Sequence, residues 1–222
     1  MDGLARIGAL LAKDLLVELR TRQGLLSMTL FSILSVLLLA FAFEPTREET
    51  RFIAPGLLWI AFAFSGTIGL EHTHAVEREM GGMEGLLLAP IDRGLIYVAK
   101  LLAGTLFMYL AELLTLPFFV LFFNVDILPL LPRMLLLNLA GTFGFCSVGT
   151  LLVAVTARTR LKGVILPVLL FPVVVPVLLA AVEGTAAIFR GESMGNALKI
   201  LVVFDAVFAS VSFLTFGFAL EE

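Results

Sequence analysis

Charged side chains are scarce in this chain of 222 residues. They make up 15% of it and apolar residues 60%, whereas soluble domains are about a quarter charged and half apolar. The net charge is −3 and no basic block occurs, which argues against nucleic acid as a partner. The composition therefore predicts an integral membrane protein.

Cysteine and histidine are also nearly missing. The single cysteine, Cys146, lies in an apolar run, where we interpret it as a small core residue; it excludes an intrachain disulfide and a cysteine-based metal site. The two histidines, His72 and His74, would point about 200° apart on a helix and so could not jointly hold one ion there. We assign both to a solvated or partner-contacting surface and expect no metal site.

Sequence motifs for ATP hydrolysis and for common hydrolases are missing as well. There is no G-x-x-x-x-G-K-[ST] phosphate loop, so the chain cannot hydrolyse ATP by that route itself. Neither H-E-x-x-H nor a nucleophile elbow occurs. We therefore predict no catalytic residues, no enzymatic activity and no directly bound cofactor.

Long apolar runs dominate what the sequence does contain. Six of them can cross a hydrocarbon core of roughly 30 Å at about 1.5 Å per residue. We place these spans at about 25–43, 52–70, 101–123, 135–156, 164–182 and 198–220. No shift in composition divides the chain, so we expect one all-α transmembrane domain over residues 1–222. Trp59, near the start of the second span, fits either a headgroup anchor or ordinary packing.

Residues 1–23 precede the first span and predict an amphipathic helix. Basic residues lie opposite a stripe of apolar ones, although Glu18 intrudes on the apolar arc. Such a helix can lie in the membrane interface, and a solvated extension is the alternative. The stripe consists of Leu4, Ile7, Leu11, Leu15 and Leu19.

Lysine and arginine are distributed unequally between the two ends of the six spans. Ten of the fifteen fall in the N-terminal segment, in residues 71–100 and in residues 157–162, and five fall on the other side. Because positive residues accumulate in the cytoplasm, both termini and the 71–100 loop are predicted to be cytoplasmic.

The polar stretch 71–93 is the longest segment that a bilayer would reject. Residues 71–80 are polar on nearly every side and predict a projection of the second span's helix. Gly81-Gly82 would break that helix, and residues 83–89 would form a short apolar helix that ends before Pro90. Its leucines need a covering surface, which is either the membrane or a partner protein.

Four features inside the spans carry further predictions. Glu112 lies at the midpoint of the third span, where a charge costs roughly 3 kcal/mol; it is either a structural contact between helices or part of a conduit or gate. Asp205 is a weaker case, since it lies nearer one end of its span.

In the fourth span, small residues such as Ala140 and Gly144 predict close helix packing. The fifth span is predicted to be kinked by Pro167, Pro172 and Pro176, and it is either a helix that lines an interface or a bent packing element.

Several of these pieces resemble a known class of membrane protein, the permeases of type-2 ABC exporters. Those proteins have an N-terminal interfacial helix, six spans and a cytoplasmic coupling helix between spans two and three. The resemblance implies that the stretch 77–93 contacts an ATPase. The residues that it implicates are Glu77, Arg78, Glu79, Gly82, Glu84, Leu87, Pro90 and Arg93, with Lys100 following them.

Other pieces narrow the resemblance to the CcmB family, along essentially the whole chain. They are Asp14-Leu15 with Glu18-Leu19-Arg20, residues 54–59 (APGLLW), Leu166-Pro167 and residues 175–177 (VPV). Members of that family are permease subunits of bacterial cytochrome c maturation. Met83 and Gly85 depart from the family pattern and bear on the geometry of the coupling helix.

The resemblance implies a set of partners and a cellular location. The partners are an ATP-binding subunit (CcmA), the membrane proteins CcmC and CcmD, and indirectly a periplasmic haem chaperone. The location is the bacterial inner membrane, and the permease is expected to pair as a homodimer. ATP would bind the partner subunit, and haem would be a possible substrate of the complex. ATP hydrolysis would drive either haem export or release of the loaded chaperone.

Two other functions fit the same sequence. An ion-coupled secondary transporter would use Glu112 at a binding site in the middle of the membrane and would need no ATPase. A non-transporting assembly scaffold would only hold membrane partners, and its function would survive an inactive ATPase. The charged 71–93 stretch is unexplained by the first of these.

Overall fold

The computed structural model describes residues 3–43, 47–79, 92–156 and 165–221, and every element in these ranges is helical. The fold class predicted from composition is therefore confirmed. The described residues form seven α-helices: α1 (Gly3–Thr21), α2 (Gln23–Phe43), α3 (Arg47–Glu79), α4 (Arg93–Phe123), α5 (Leu131–Thr156), α6 (Ile165–Arg190) and α7 (Gly195–Glu221). A short 3-10 helix, Leu128–Leu130, precedes α5.

Six helices, α2 to α7, are long and apolar enough to cross a membrane, and the chain is a multi-pass membrane protein. Several helices extend beyond the predicted spans. Helix α4 begins at Arg93, so residues 93–100 are helical rather than loop, and α6 continues to Arg190 rather than ending at 182. Hydropathy marks only the apolar part of a helix, whereas the backbone hydrogen bonds continue into its polar ends. Helix α3 likewise runs on to Glu79, as predicted for its polar projection.

Helix α5 is the centre of the bundle and packs against α3, α4, α6 and α7. Its glycines allow close contact, since a Cβ at Gly141 would collide with the Trp59 ring and one at Gly149 with the Leu70 side chain. The predicted packing role of small residues on this helix is confirmed. Without a hydrophobic driving force inside lipid, such close contacts are a main source of helix association.

Trp59 lies inside the bundle and is 1% exposed. Its indole Nε1 donates a 3.0 Å hydrogen bond to Thr185 Oγ1, which joins α3 to α6. The headgroup-anchor interpretation of this residue is therefore wrong, and the packing interpretation holds. Gly141 on the neighbouring helix leaves room for the Trp59 ring, because a Cβ there would collide with it.

The prolines of the fifth span lie within α6 or at its start. Pro172 and Pro176 are inside a continuous helix and exposed on the surface of the chain, and half-buried Pro167 lies in the first turn. Their proposed place at an interface stays a prediction. Helix α1 precedes the bundle and packs against α4 and α2.

Candidate coupling site

Helix α1 packs on the bundle through Leu10 and Asp14, which are buried, and Glu18 is half-buried on the same face one turn further. The predicted leucine stripe is divided, because Leu4 is 83% and Leu19 66% exposed, whereas Ile7 packs against the core. The exposed leucines can contact lipid, as in an interfacial helix, while the two acids face the protein.

Asp14 forms a buried ion pair with the helix that follows the predicted coupling segment. Its Oδ2 lies 2.8 Å from Lys100 Nζ, and the two residues are 7% and 5% exposed. Lys13 Nζ, on a side chain that is 42% exposed, lies 3.1 Å from the other carboxylate oxygen. Breaking a buried pair by removing one partner typically costs about 3–5 kcal/mol, because the remaining charge is left without compensation. The pair therefore fixes α1 against α4.

Glu18 fixes the turn between α1 and α2. Arg22, in the left-handed region with φ 56°, separates the helices, and its N–H donates to the Glu18 carbonyl at 2.6 Å. The Glu18 carboxylate in turn accepts a 2.7 Å hydrogen bond from the backbone N–H of Leu25. Since the first N–H groups of a helix lack partners within it, this bond caps α2.

The same turn contacts α3. Gly24 is buried, and a Cβ placed on it would lie 2.8 Å from His72 Cδ2 and 2.9 Å from Glu18 Oε2. Glu18, Gly24 and His72 therefore meet where α1, α2 and α3 come together. His72 is in contact with protein rather than fully solvated.

Through these two junctions, α1 is connected to both helices that flank residues 80–91. It contacts α4 directly through Asp14 and Lys100, and it reaches α3 through α2, where Gly24 packs against both Glu18 and His72. We call this group of five residues the coupling end.

The residues predicted to contact an ATPase lie beside the coupling end or outside the described residues. Glu77, Arg78 and Glu79 form the last turn of α3, but their side chains are not among those described. Arg93 is the first residue of α4, and its Nη1 lies 3.5 Å from the Gly217 carbonyl of α7. Gly82, Glu84, Leu87 and Pro90 fall outside the described residues.

Glu112 is buried between α4 and α5, with 2% exposure. Thr142 Oγ1 donates to Glu112 Oε1 at 2.7 Å, so the carboxyl group joins two spans. This geometry is that of the structural contact, one of the two roles open from the sequence. The second carboxyl oxygen, Oε2, is buried and has no hydrogen-bond partner among the described residues, so the conduit or gating role stays a prediction.

A second carboxyl group lies at a similar depth. A Cβ on Gly144 would collide with Asp205 Oδ1, so Asp205 packs directly on the backbone of α5. Helix α7 begins at Gly195, which puts Asp205 about 15 Å into the helix at 1.5 Å per residue. Asp205 is nearer the first residue of α7 than the last, Glu221, in agreement with the sequence analysis, although the helix starts three residues earlier than its apolar run.

In the described parts of the chain, no group of three or more His, Cys, Asp or Glu side chains could hold a metal ion. Cys146 is buried, with its Sγ 3.9 Å from Met108 Sδ, as expected of a core residue. The side chain of His74 is not among those described.

Asp14 and Glu18 were not predicted as bonding residues from the sequence. The available signal was two acids four residues apart on an amphipathic helix, together with Lys100 at the end of the predicted 71–100 loop. Residues four apart share one helix face, so the pair could have predicted an acidic contact stripe.

Comparison with known proteins gives consistent matches along the chain. A family model described as CcmB protein matches residues 5–222. A relative from Pseudomonas aeruginosa named Heme exporter protein B is 30% identical over 190 residues, 85% of each chain. Relatives of the same name are 29% identical over 199 residues in Paracoccus denitrificans (90% of this chain, 89% of the relative) and 27% over 215 in Rhodobacter capsulatus (95% of each).

Proposed function

This chain belongs to the CcmB family, and on that premise we propose that it is the permease subunit of an ATP-driven complex for cytochrome c maturation. It is a membrane component of the haem export and cytochrome c maturation system. In our proposal a separate subunit of the CcmA type hydrolyses ATP. CcmC- and CcmD-type membrane proteins complete the complex, and two copies of the permease pair within the inner membrane.

The observation that supports an ATP-driven permease is the arrangement of the coupling end. Residues 77–93 would contact the ATPase on the cytoplasmic side. Of the two helices that leave this segment, α4 is attached to α1 by the buried Asp14–Lys100 pair, and α3 is connected to α1 through α2 at the Glu18–Gly24–His72 junction. A push on the segment would therefore move α1, α3 and α4 together. Packed bundles respond to such a push by changing between discrete arrangements.

The step driven by ATP is proposed to be release of the haem-loaded chaperone rather than passage of haem through the bundle. In the described part of the spans, some buried polar side chains bond across helices, as Glu112 does with Thr142 and Trp59 with Thr185. The only cysteine is packed against Met108 in the core. These contacts favour a bundle that transmits movement.

Copurification tests this proposal. A tagged copy of the chain, extracted from bacterial membranes in mild detergent, should bring along an ATPase subunit and a CcmC-type protein. An ATPase subunit that binds but cannot hydrolyse ATP should abolish chaperone release while the complex still assembles. Normal cytochrome c maturation with that inactive ATPase would contradict the proposal and favour a scaffold. Activity without any associated ATPase would favour a secondary transporter.

A further inference from the structure

Helix α7 carries a carboxyl group that the described part of the chain leaves without a partner. Asp205 Oδ1 is buried against Gly144 of α5, yet neither a hydrogen bond nor an ion pair joins Asp205 to another described residue. The side chain as a whole is half-buried, so the carboxyl group can also be reached from outside the chain. Its partner is therefore to be sought beyond this chain.

Asp205 cannot reach water along its own helix. It lies six residues after Lys199 and sixteen before Glu221, which is roughly 9 Å and 24 Å along the helix axis at about 1.5 Å per residue. No other charged residue occurs in residues 200–219. Long lysine and arginine side chains can extend to the headgroups, whereas aspartate has a single methylene and cannot. Ionisable groups inside a membrane almost always pair with another polar group, so Asp205 must find its partner within the bilayer.

The surface beside Asp205 suits a neighbouring transmembrane helix. Val202 is 55% exposed, Ala206 is exposed and Ala209 is half-buried, all within about one turn of Asp205. The exposed Ser210 donates its hydroxyl to the Ala206 carbonyl at 2.6 Å, so this polar group is satisfied within α7. Small side chains allow another helix to approach closely in a membrane. The polar group that such a helix would meet there without a partner is the Asp205 carboxylate.

We propose that this surface of α7 docks a transmembrane helix of a different membrane protein, one that carries a lysine or arginine at the depth of Asp205. A carboxylate and a cation compensate each other where neither is solvated. A second copy of this chain lacks such a cation, because its predicted spans contain no lysine or arginine except Lys199, about 9 Å nearer the start of α7. Charge complementarity therefore favours a different subunit over a second copy.

This inference deepens the proposed function and rests on one part of it, the presence of another membrane subunit in the complex. It does not require contact between residues 77–93 and an ATPase. Helix α7 packs against the central helix α5, and Asp205 lies on the backbone of α5 at Gly144. A subunit docked at Asp205 would thus contact the bundle next to its central helix.

Crosslinking at this surface tests the inference. A photoreactive amino acid at position 202 of the full-length chain should crosslink in cells to a membrane protein. Mass spectrometry of the crosslinked peptide should place a lysine or arginine within one helical turn of the crosslinked residue. Asp205→Asn keeps the size of the side chain and removes its charge, so it should lower recovery of that subunit about tenfold and leave recovery of the ATPase unchanged. Asp126→Asn makes the same change at an exposed aspartate between α4 and α5 and should have no effect.

A charge exchange separates pairing from folding. Asp205→Lys should abolish the association, and replacing the partner's cation by aspartate should restore it in that variant. Unchanged recovery in Asp205→Asn, no restoration after the exchange, or a crosslink to a second copy of this chain would overturn the inference while the proposed function stands. An unmodified chain that copurifies without any other membrane subunit would contradict the proposed function as well.

Discussion

At the scale of single residues, the Asp14–Lys100 pair is the contact whose loss has the clearest expected effect. Lys100→Met leaves Asp14 buried without its main partner, at a typical cost of about 3–5 kcal/mol. We expect the lower end of that range, because Lys13 still reaches the other carboxylate oxygen. Removing both charges in Asp14→Leu with Lys100→Met should restore most of the stability. The measurement is thermal unfolding of the four chains of this double-mutant cycle in detergent.

Chaperone release by the double variant tests whether the same pair has a functional role. If the pair transmits movement, the double variant is stable and assembles with its ATPase, yet its chaperone release is impaired. Arg20→Ala, an exposed change on the same helix, is the matched control and should behave like the unmodified chain. A double variant with full release would reduce the pair to a structural contact.

Glu112 offers a second comparison at this scale. Glu112→Gln keeps the length of the side chain and an oxygen that can accept from Thr142, but it removes the carboxyl group. Glu112→Asp keeps the carboxyl group and shortens its reach by one methylene. For a structural contact, the Gln variant should retain near-normal cytochrome c maturation and the Asp variant should lose more. Hydrogen bonds between membrane helices are worth about 0.6 kcal/mol on average, so the loss should be partial.

The reverse order of activities would contradict this interpretation of Glu112. An inactive Gln variant beside a partly active Asp variant would mean that the carboxyl group itself is used, as in an ion-coupled transporter. Thr142→Val is the matched partner variant, because it removes the donor while leaving Glu112 unchanged.

At the scale of elements, hydropathy predicted which segments form helices better than it predicted which faces are buried. Six spans and the polar projection of α3 followed from apolar runs and helical spacing. The orientation of α1 did not, because a leucine stripe is equally suited to lipid and to protein. The position of Lys100 decides which face of α1 contacts the protein, because its buried ammonium group lies opposite Asp14. That information comes from the tertiary arrangement of α1 and α4.

Dependence on the tertiary arrangement also explains why the contacts of Trp59 and of the coupling end were hard to predict from the sequence. The burial of Trp59 depends on the missing side chain at Gly141, and the position of His72 depends on the missing side chain at Gly24. Each contact joins residues that are far apart in sequence. A glycine in an apolar run indicates that something approaches closely, but it does not indicate which residue does.

At the scale of the whole molecule, the placement of the coupling end in the cytoplasm rests on charge asymmetry, and reporter insertions test it. Residue 85 follows the second span and residue 190 ends the fifth, so three spans separate them. If all six helices cross, the two positions lie on opposite sides of the membrane. A fluorescent protein that matures only in the cytoplasm should report at 85 and after 222, whereas a periplasm-dependent phosphatase should be active at 190. Reporters at 85 and 190 on the same side of the membrane would mean that a helix between them does not cross the membrane. Exchanged sidedness would put residues 77–93 out of reach of a cytoplasmic ATPase and would remove the basis for coupling.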